Sequence, residues 1–174
     1  MAGIKVLVVG RGGREHALVW KLKQSPQCRE IICAPGNPGI GALAECFPIL
    51  ITDTPNLVDF AQEQEVDLVV VGPEQPLADG LADDLRGKNI PCFGPGKAGA
   101  RIEWSKFFAK NFMHGWGIPT APFAFFNDPE KAKNFIRKKF AAGEQVVVKA
   151  DGLCEGKGVY VPETKEEALR AVDR

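Results

Sequence analysis

Apolar residues fall along this chain in short continuous runs, most of them closed by glycine or proline, with longer stretches of helical spacing between them. Ile4–Val9 is β-branched and apolar and ends at Gly10, which predicts a strand buried on both faces. Arg14–Lys23 carries apolar residues on most sides without a breaker and predicts a largely buried helix. Ile31–Ala34 predicts a second strand, stopped by Pro35-Gly36-Asn37-Pro38-Gly39, and Phe47–Ile51 a third. A helix follows over Asn56–Gln64, then the strongest strand, Asp67–Val71, with four aliphatic residues in a row. Leu77–Arg86 reads as one helix and Ile90–Phe93 as a further strand. Strand and helix alternate throughout, so the fold class is α/β with a doubly wound parallel sheet.

Gly94-Pro95-Gly96 marks the edge of that domain, assigned to residues 1–100. Residues 101–174 begin a second domain. Ser105–Trp116 places Phe108, Phe112 and Trp116 at four-residue intervals, a helix with one apolar face; with Phe107 these aromatics are expected in a core. Gly117 and Pro119 stop it, and Phe123–Phe126 is extended. A helix opens near Pro129 and carries Ala132, Phe135 and Ile136 on one side. Gln145–Lys149 and Val159–Val161 read as paired strands around a glycine-rich turn. Thr164 and Glu167 form a capping box for a last helix that runs to Arg174. Its apolar face needs a surface to cover, so the second domain reads as truncated.

With 45% apolar residues the chain is globular, and 22 acidic residues balance 22 basic ones. That balance gives no global field for nucleic acid or an anionic membrane. The five cysteines are scattered without a C-x-x-C pair, as reduced thiols in a cytoplasmic protein are. The apolar run Val6–Val9 is too short for a signal sequence or a membrane span.

Chemistry concentrates at three places. The first is Gly10-Arg11-Gly12-Gly13-Arg14-Glu15-His16, at a strand-to-helix junction, where glycines let backbone approach an anion and a helix N-terminus offers free N–H groups. A dinucleotide fingerprint needs a third glycine where Glu15 stands, and an acidic residue where the second strand ends at Cys33-Ala34-Pro35. A smaller phosphorylated ligand fits better than a nicotinamide cofactor, although such a turn can also serve packing alone. The second place is Gly72-Pro73-Glu74, after the strongest strand. In a sheet ordered 3-2-1-4 the first and fourth strands meet at the switch point, so Glu74 faces the glycine loop; a rigid turn with a solvated glutamate is the plainer alternative.

The third is Val146-Val147-Val148-Lys149-Ala150-Asp151-Gly152 through Gly156-Lys157-Gly158. A lysine ending a buried strand is poorly solvated unless an anion faces it. Strand, lysine, glycine loop and strand make a flap over nucleotide phosphates. It is not a Walker loop, which needs Ser or Thr where Gly158 stands; a glycine-rich hairpin with exposed lysines is the alternative. His16 and His114 lack the spacing of metal ligands, and no metal site is assigned.

These motifs, in this order, resemble the glycinamide ribonucleotide synthetase family. The likeness rests on Gly12-Gly13-Arg14-Glu15-His16-Ala17, Pro35-Gly36-Asn37, Val71-Gly72-Pro73-Glu74, Cys92-Phe93-Gly94-Pro95 and Ser105-Lys106. Gly117-Ile118-Pro119-Thr120-Ala121, Lys149-Ala150-Asp151-Gly152-Leu153 and Gly156-Lys157-Gly158 extend it. The resemblance implies a Rossmann-like first domain followed by an incomplete ATP-grasp segment. It implies a ligase of purine biosynthesis in which ATP activates glycine as glycyl phosphate and 5-phosphoribosylamine attacks it. By the same resemblance Gly10, Gly12, Gly13, Arg14, Glu15 and Glu74 hold phosphoribosylamine, and Lys106, Lys149, Gly152, Gly156, Lys157 and Gly158 meet ATP.

Mg2+ is implied, with its ligands outside this chain. The truncated chain alone is then expected to be inactive, and the exposed faces of its second segment to support self-association. Arg11, Trp104 and Glu155 depart from the family pattern, and Glu155 adds a carboxylate that would repel phosphates. Another ATP-grasp ligase would share the lysines and flap but not Arg14-Glu15-His16; a non-catalytic phosphosugar-binding domain would bind without turnover.

Overall fold

The computed structural model of the chain describes residues 3–154 and 157–174. The chain divides into two compact units, Met1–Arg101 and Ile102–Arg174.

In the first unit the strands β1 (Ile4–Gly10), β2 (Cys28–Pro35), β3 (Glu45–Cys46), β4 (Leu68–Val71) and β5 (Cys92–Phe93) form one parallel sheet in the order β3-β2-β1-β4-β5. The β1 side chains alternate between two cores. Leu7 and Val9 join Leu57, Phe60, Leu81 and Leu85 on the face of helices α3 (Thr54–Glu63) and α5 (Leu81–Gly87). Val6 and Val8 join Val19 and Ile40 beneath α1 (Gly13–Leu22) and α2 (Pro38–Gly41). Val6, Leu7, Val8 and Val9 are wholly buried, as the continuous run requires. Each contributes roughly 1.5–3 kcal/mol by burial against an extended unfolded chain.

Four expectations for this unit need correction. Helix α1 is not largely buried: only Glu15 and Val19 are, and Trp20 is 57% exposed, because a single stripe of the helix rests on the sheet. The third strand is Glu45–Cys46, not Phe47–Ile51. The Phe47 amide still donates to Cys33 O at 2.9 Å, but Pro48 has no N–H with which to continue the ladder. Pro91 likewise gives the sheet only its carbonyl, which accepts from the Val69 amide at 2.9 Å, so β5 is two residues long. The helix expected over Leu77–Arg86 is two helices, α4 (Glu74–Asp79) and α5, parted at Gly80, whose φ of 109° breaks the helical path.

The linker beyond β5 is pinned by polar contacts. Arg86 donates to the carbonyls of Cys92 and Gly94, and Asp83 accepts from the Lys97 amide at 2.7 Å. Helix α6 (Lys97–Trp104) follows.

The second unit holds α7 (Lys106–Gly115), α8 (Pro129–Ala141), the antiparallel pair β6 (Val148–Lys149) and β7 (Val159–Tyr160), and α9 (Lys165–Val172). Side-chain caps start each helix: Ser105 for α7, Asp128 for α8, and Thr164 with Glu167 for α9. Lys133 on α8 reaches Asp173 just beyond α9 at 2.6 Å. Among the described residues its buried apolar side chains are Ala109, Ile136, Pro162 and Ala168. The aromatics expected in a core are not there. Trp116 is 75% exposed, Phe107 and Phe112 are also exposed, and Phe108 is half-buried. They meet other rings instead: Phe107 stacks on Phe125 at 4.1 Å between centroids, and Phe112 meets Trp116 in a tilted pair at 6.1 Å.

Candidate functional site

The carboxyl ends of β1, β2 and β4 lie level. Gly10 pairs with Pro35, Val9 with Val71, and the Gly72 amide donates to Val9 O at 3.0 Å. This edge is the switch point of the sheet, the position at which open α/β sheets bind ligands. The strand order brings together the Gly10–Gly13 loop and the Gly72-Pro73-Glu74 turn, as the sequence pattern implies.

Arg14 bridges the two segments. Its guanidinium stands 3.6 Å from the Glu74 carboxylate and 3.4 Å from that of Glu15, while its own side chain is 61% exposed. Burial opposes its charge, but Glu74 and Glu15 outweigh that and hold it above its ordinary value. Glu15 itself is buried, and its Oε2 accepts the Gly12 amide at 2.5 Å. The first bond inside α1 is His16 N–H to Gly12 O, at 3.1 Å. The amides of Gly13, Arg14 and Glu15 therefore lie in the first turn, outside the intrahelical ladder. A Cβ at Gly13 would meet no side chain or distant backbone within 4 Å.

Sequence reasoning gave no role to Asn37. Its Oδ1 accepts the Ile40 amide at 2.9 Å, capping α2, while its Nδ2 donates to Arg11 O at 2.8 Å. The Nδ2 bond tethers the glycine loop to the segment that follows β2. An Asn directly before a proline at a helix start was the available signal for the cap, not for the tether.

The second unit carries the lysine-rich segment. Ser105 Oγ accepts the Phe108 amide and donates to Asp151 at 3.1 Å, and Asp151 accepts the Phe107 amide at 3.1 Å. Lys106 Nζ donates to Gly152 O at 3.2 Å. The start of α7 and the loop after β6 are thereby one assembly, which no local pattern announced. Gly152 has φ 97°, and Gly158 leaves room where a Cβ would stand 2.8 Å from the Cys154 side chain.

Lys149 is exposed and Val147, two residues before it, is 50% exposed, so the lysine does not end a buried strand as the sequence pattern implies. A two-residue ladder on a thin core leaves that charge in water. Lys157 is exposed on the far side of the turn. Gly156, and the like-charge effect expected of Glu155, lie outside the described residues. Among the described residues no three His, Cys, Asp or Glu side chains group as a cation site. No helix among them is long and apolar enough to cross a membrane.

A doubly wound domain is followed along the chain by a unit that carries a lysine-bearing hairpin and a capped helix. N5-carboxyaminoimidazole ribonucleotide synthetase from Thermotoga maritima shares the fold at a TM-score of 0.73 and 19% identity, over 96% of this chain and 43% of that one. Residues 4–103 match the phosphoribosylglycinamide synthetase N domain, and residues 104–174 its ATP-grasp (A) domain. The chain belongs to the phosphoribosylglycinamide synthetase family. It is 52% identical to phosphoribosylamine–glycine ligase of Brucella melitensis over 170 residues, 98% of this chain and 39% of the relative. The crystal structure of the Thermotoga maritima phosphoribosylamine–glycine ligase superposes with a TM-score of 0.72 at 30% identity, covering 96% of this chain and 38% of that one. The chain thus spans about two fifths of the length of such relatives.

Proposed function

We propose that this chain supplies the phosphosugar site and the opening nucleotide-binding segment of a cytoplasmic ligase. That ligase joins 5-phosphoribosylamine to glycine with ATP, giving glycinamide ribonucleotide, ADP and phosphate. Membership of the family across both units, in order, carries the reading.

In the first unit the Gly13 and Arg14 amides and the Arg14 guanidinium receive the sugar phosphate. Glu74, 3.6 Å from Arg14, turns toward the ribose hydroxyls or the amine. Gly10, Gly12 and Glu15 shape the loop that presents them. In the second unit Lys106, Lys149 and Lys157 neutralise nucleotide phosphates, with Gly152, Gly156 and Gly158 letting backbone approach. Three cationic side chains and a glycine-rich turn suit a polyphosphate, and bound ATP supplies the phosphoryl group that makes the glycine carboxylate reactive. The protein's own part is positioning and charge neutralisation. Magnesium ligands are proposed to lie elsewhere in the whole protein.

The test replaces the matching segment of a full-length family ligase with this chain. Glycinamide ribonucleotide should form from phosphoribosylamine, glycine and magnesium-ATP. A folded hybrid that binds ATP yet makes none of this product would overturn the proposal.

A further inference from the structure

Three glycines converge on one carboxylate. A Cβ built at Gly10 or at Gly72 would overlap the Glu15 side chain, and one at Gly12 would stand 2.8 Å from Glu15 Oε2. Gly10 and Gly12 flank the turn after β1, whereas Gly72 follows β4, so the contacts come from two separate strands. Glu15 is 3% exposed. One of its oxygens accepts the Gly12 amide, and the other lies 3.4 Å from Arg14 Nε. A carboxylate enclosed in this way presents no open face to a ligand. Its acceptor capacity is turned to the backbone and to its own helix neighbour.

A turn evolved only for backbone approach to an anion needs its glycines on the ligand side. Here the missing Cβ atoms at Gly10, Gly12 and Gly72 make room for a protein side chain. We infer that Glu15 is a positioning residue: it braces the Gly10–Gly13 loop against the Gly72–Glu74 turn, fixing the spacing of Arg14 and Glu74 without touching the phosphosugar. The inference rests on the proposed phosphosugar reading of this sheet edge for its functional half and on packing alone for its structural half. A carboxylate that instead bound the substrate amine would need its charge; a brace needs its shape and one acceptor oxygen. Those demands separate Glu15→Gln from Glu15→Ala.

Two measurements on the purified chain decide the matter. The first is a double-mutant cycle in urea between positions 15 and 72. Gly72→Ala alone should lower the unfolding midpoint sharply, because Glu15, buried and bonded to the Gly12 amide, would have to leave its place. In the Glu15→Ala background the same change should shift the midpoint by at most about a third as much, since the space is free. Equal shifts in both backgrounds would overturn the brace. If Glu15→Ala fails to fold, Glu15→Asp, shorter by one methylene, takes its place in the cycle. The second measurement is calorimetric titration with glycinamide ribonucleotide. Glu15→Gln should bind within about threefold of wild type, and Glu15→Ala or Glu15→Asp should lose about tenfold or more. A tenfold loss in Glu15→Gln would make the charge a ligand and overturn the positioning role. A wild-type chain that does not bind this compound defeats the phosphosugar reading, while the urea cycle still decides the brace.

Discussion

Asp151 accepts a hydrogen bond from Ser105 Oγ at 3.1 Å across forty-six residues of sequence, and a second from the Phe107 amide at the same distance. The carboxylate therefore extends the cap of α7 and carries the loop after β6 with it. Asp151→Ala should cost the second unit about 1–2 kcal/mol, the loss of a helix cap. Asp151→Asn, which keeps an acceptor oxygen, should recover most of that. Hydrogen exchange at the Phe107 and Phe108 amides is the measurement; unchanged protection in Asp151→Ala would mean the latch has no energetic weight.

Lys106 and Lys149 give a prediction on nucleotide. Lys106 is tied to Gly152 O, and Lys149 stands exposed on β6. In the full-length hybrid each Lys→Ala change should raise the ATP dissociation constant by about tenfold or more, as a charge-assisted contact is lost. The affinity for glycinamide ribonucleotide should stay unchanged. Nucleotide titration with equal affinities for wild type and variants would remove both lysines from the site.

Gly80 and Gly13 should respond oppositely to alanine. Gly80 has φ 109°, and a Cβ there would meet nothing closer than Lys97 Cδ at 3.8 Å, so the cost of Gly80→Ala is conformational, about 1–2 kcal/mol. Gly13 lies in the first turn of α1, where a Cβ would meet no side chain or distant backbone within 4 Å, and has no positive φ. Gly13→Ala should be neutral or stabilising by up to about 1 kcal/mol. Thermal unfolding of the two variants ranks them, and a Gly80→Ala protein as stable as wild type would contradict the assignment.

Burial, together with nearby Cys46, pushes the Cys33 thiol up from 9.0 to about 12. Between those values the folded chain holds a proton that the unfolded chain releases, so this group's contribution to stability is intact below pH 9 and is lost as pH rises toward 12. Cys33→Ala should flatten the alkaline limb of the stability profile measured by urea titration. In the native wild type Cys33 should also resist iodoacetamide at pH 8 while half-buried Cys154 is modified. Modification of Cys33 at the rate of Cys154 would contradict this.

Legibility in the sequence followed the kind of force involved. The strands Val6–Val9 and Leu68–Val71 were plain because two-sided burial leaves an uninterrupted aliphatic run, and their adjacency followed from the alternation of elements. The break at Gly80 was missed because a glycine within a helical pattern is read as tolerated unless its φ is known. Pro48 cut the third strand short, a local signal that the apolar residues around it masked. The aromatic spacing of Phe108, Phe112 and Trp116 correctly gave a helix and wrongly a core, since periodicity identifies a face but not what covers it. At the candidate site, residue types and chain order were readable. The inward turn of Glu15 and the reach of Asp151 to Ser105 were not, because they depend on contacts between distant segments.

The glycines around Glu15 are a mould of that side chain, and a mould changes only with its cast. Position 72 lacks a left-handed backbone, and the three atoms that a methyl group there would meet first all belong to Glu15, whereas Gly10, at φ 135°, is held to glycine by its backbone as well. Across evolution the two constraints should leave different traces. Variation at position 72 should accompany shortening at position 15, and position 10 should stay glycine whatever stands at 15.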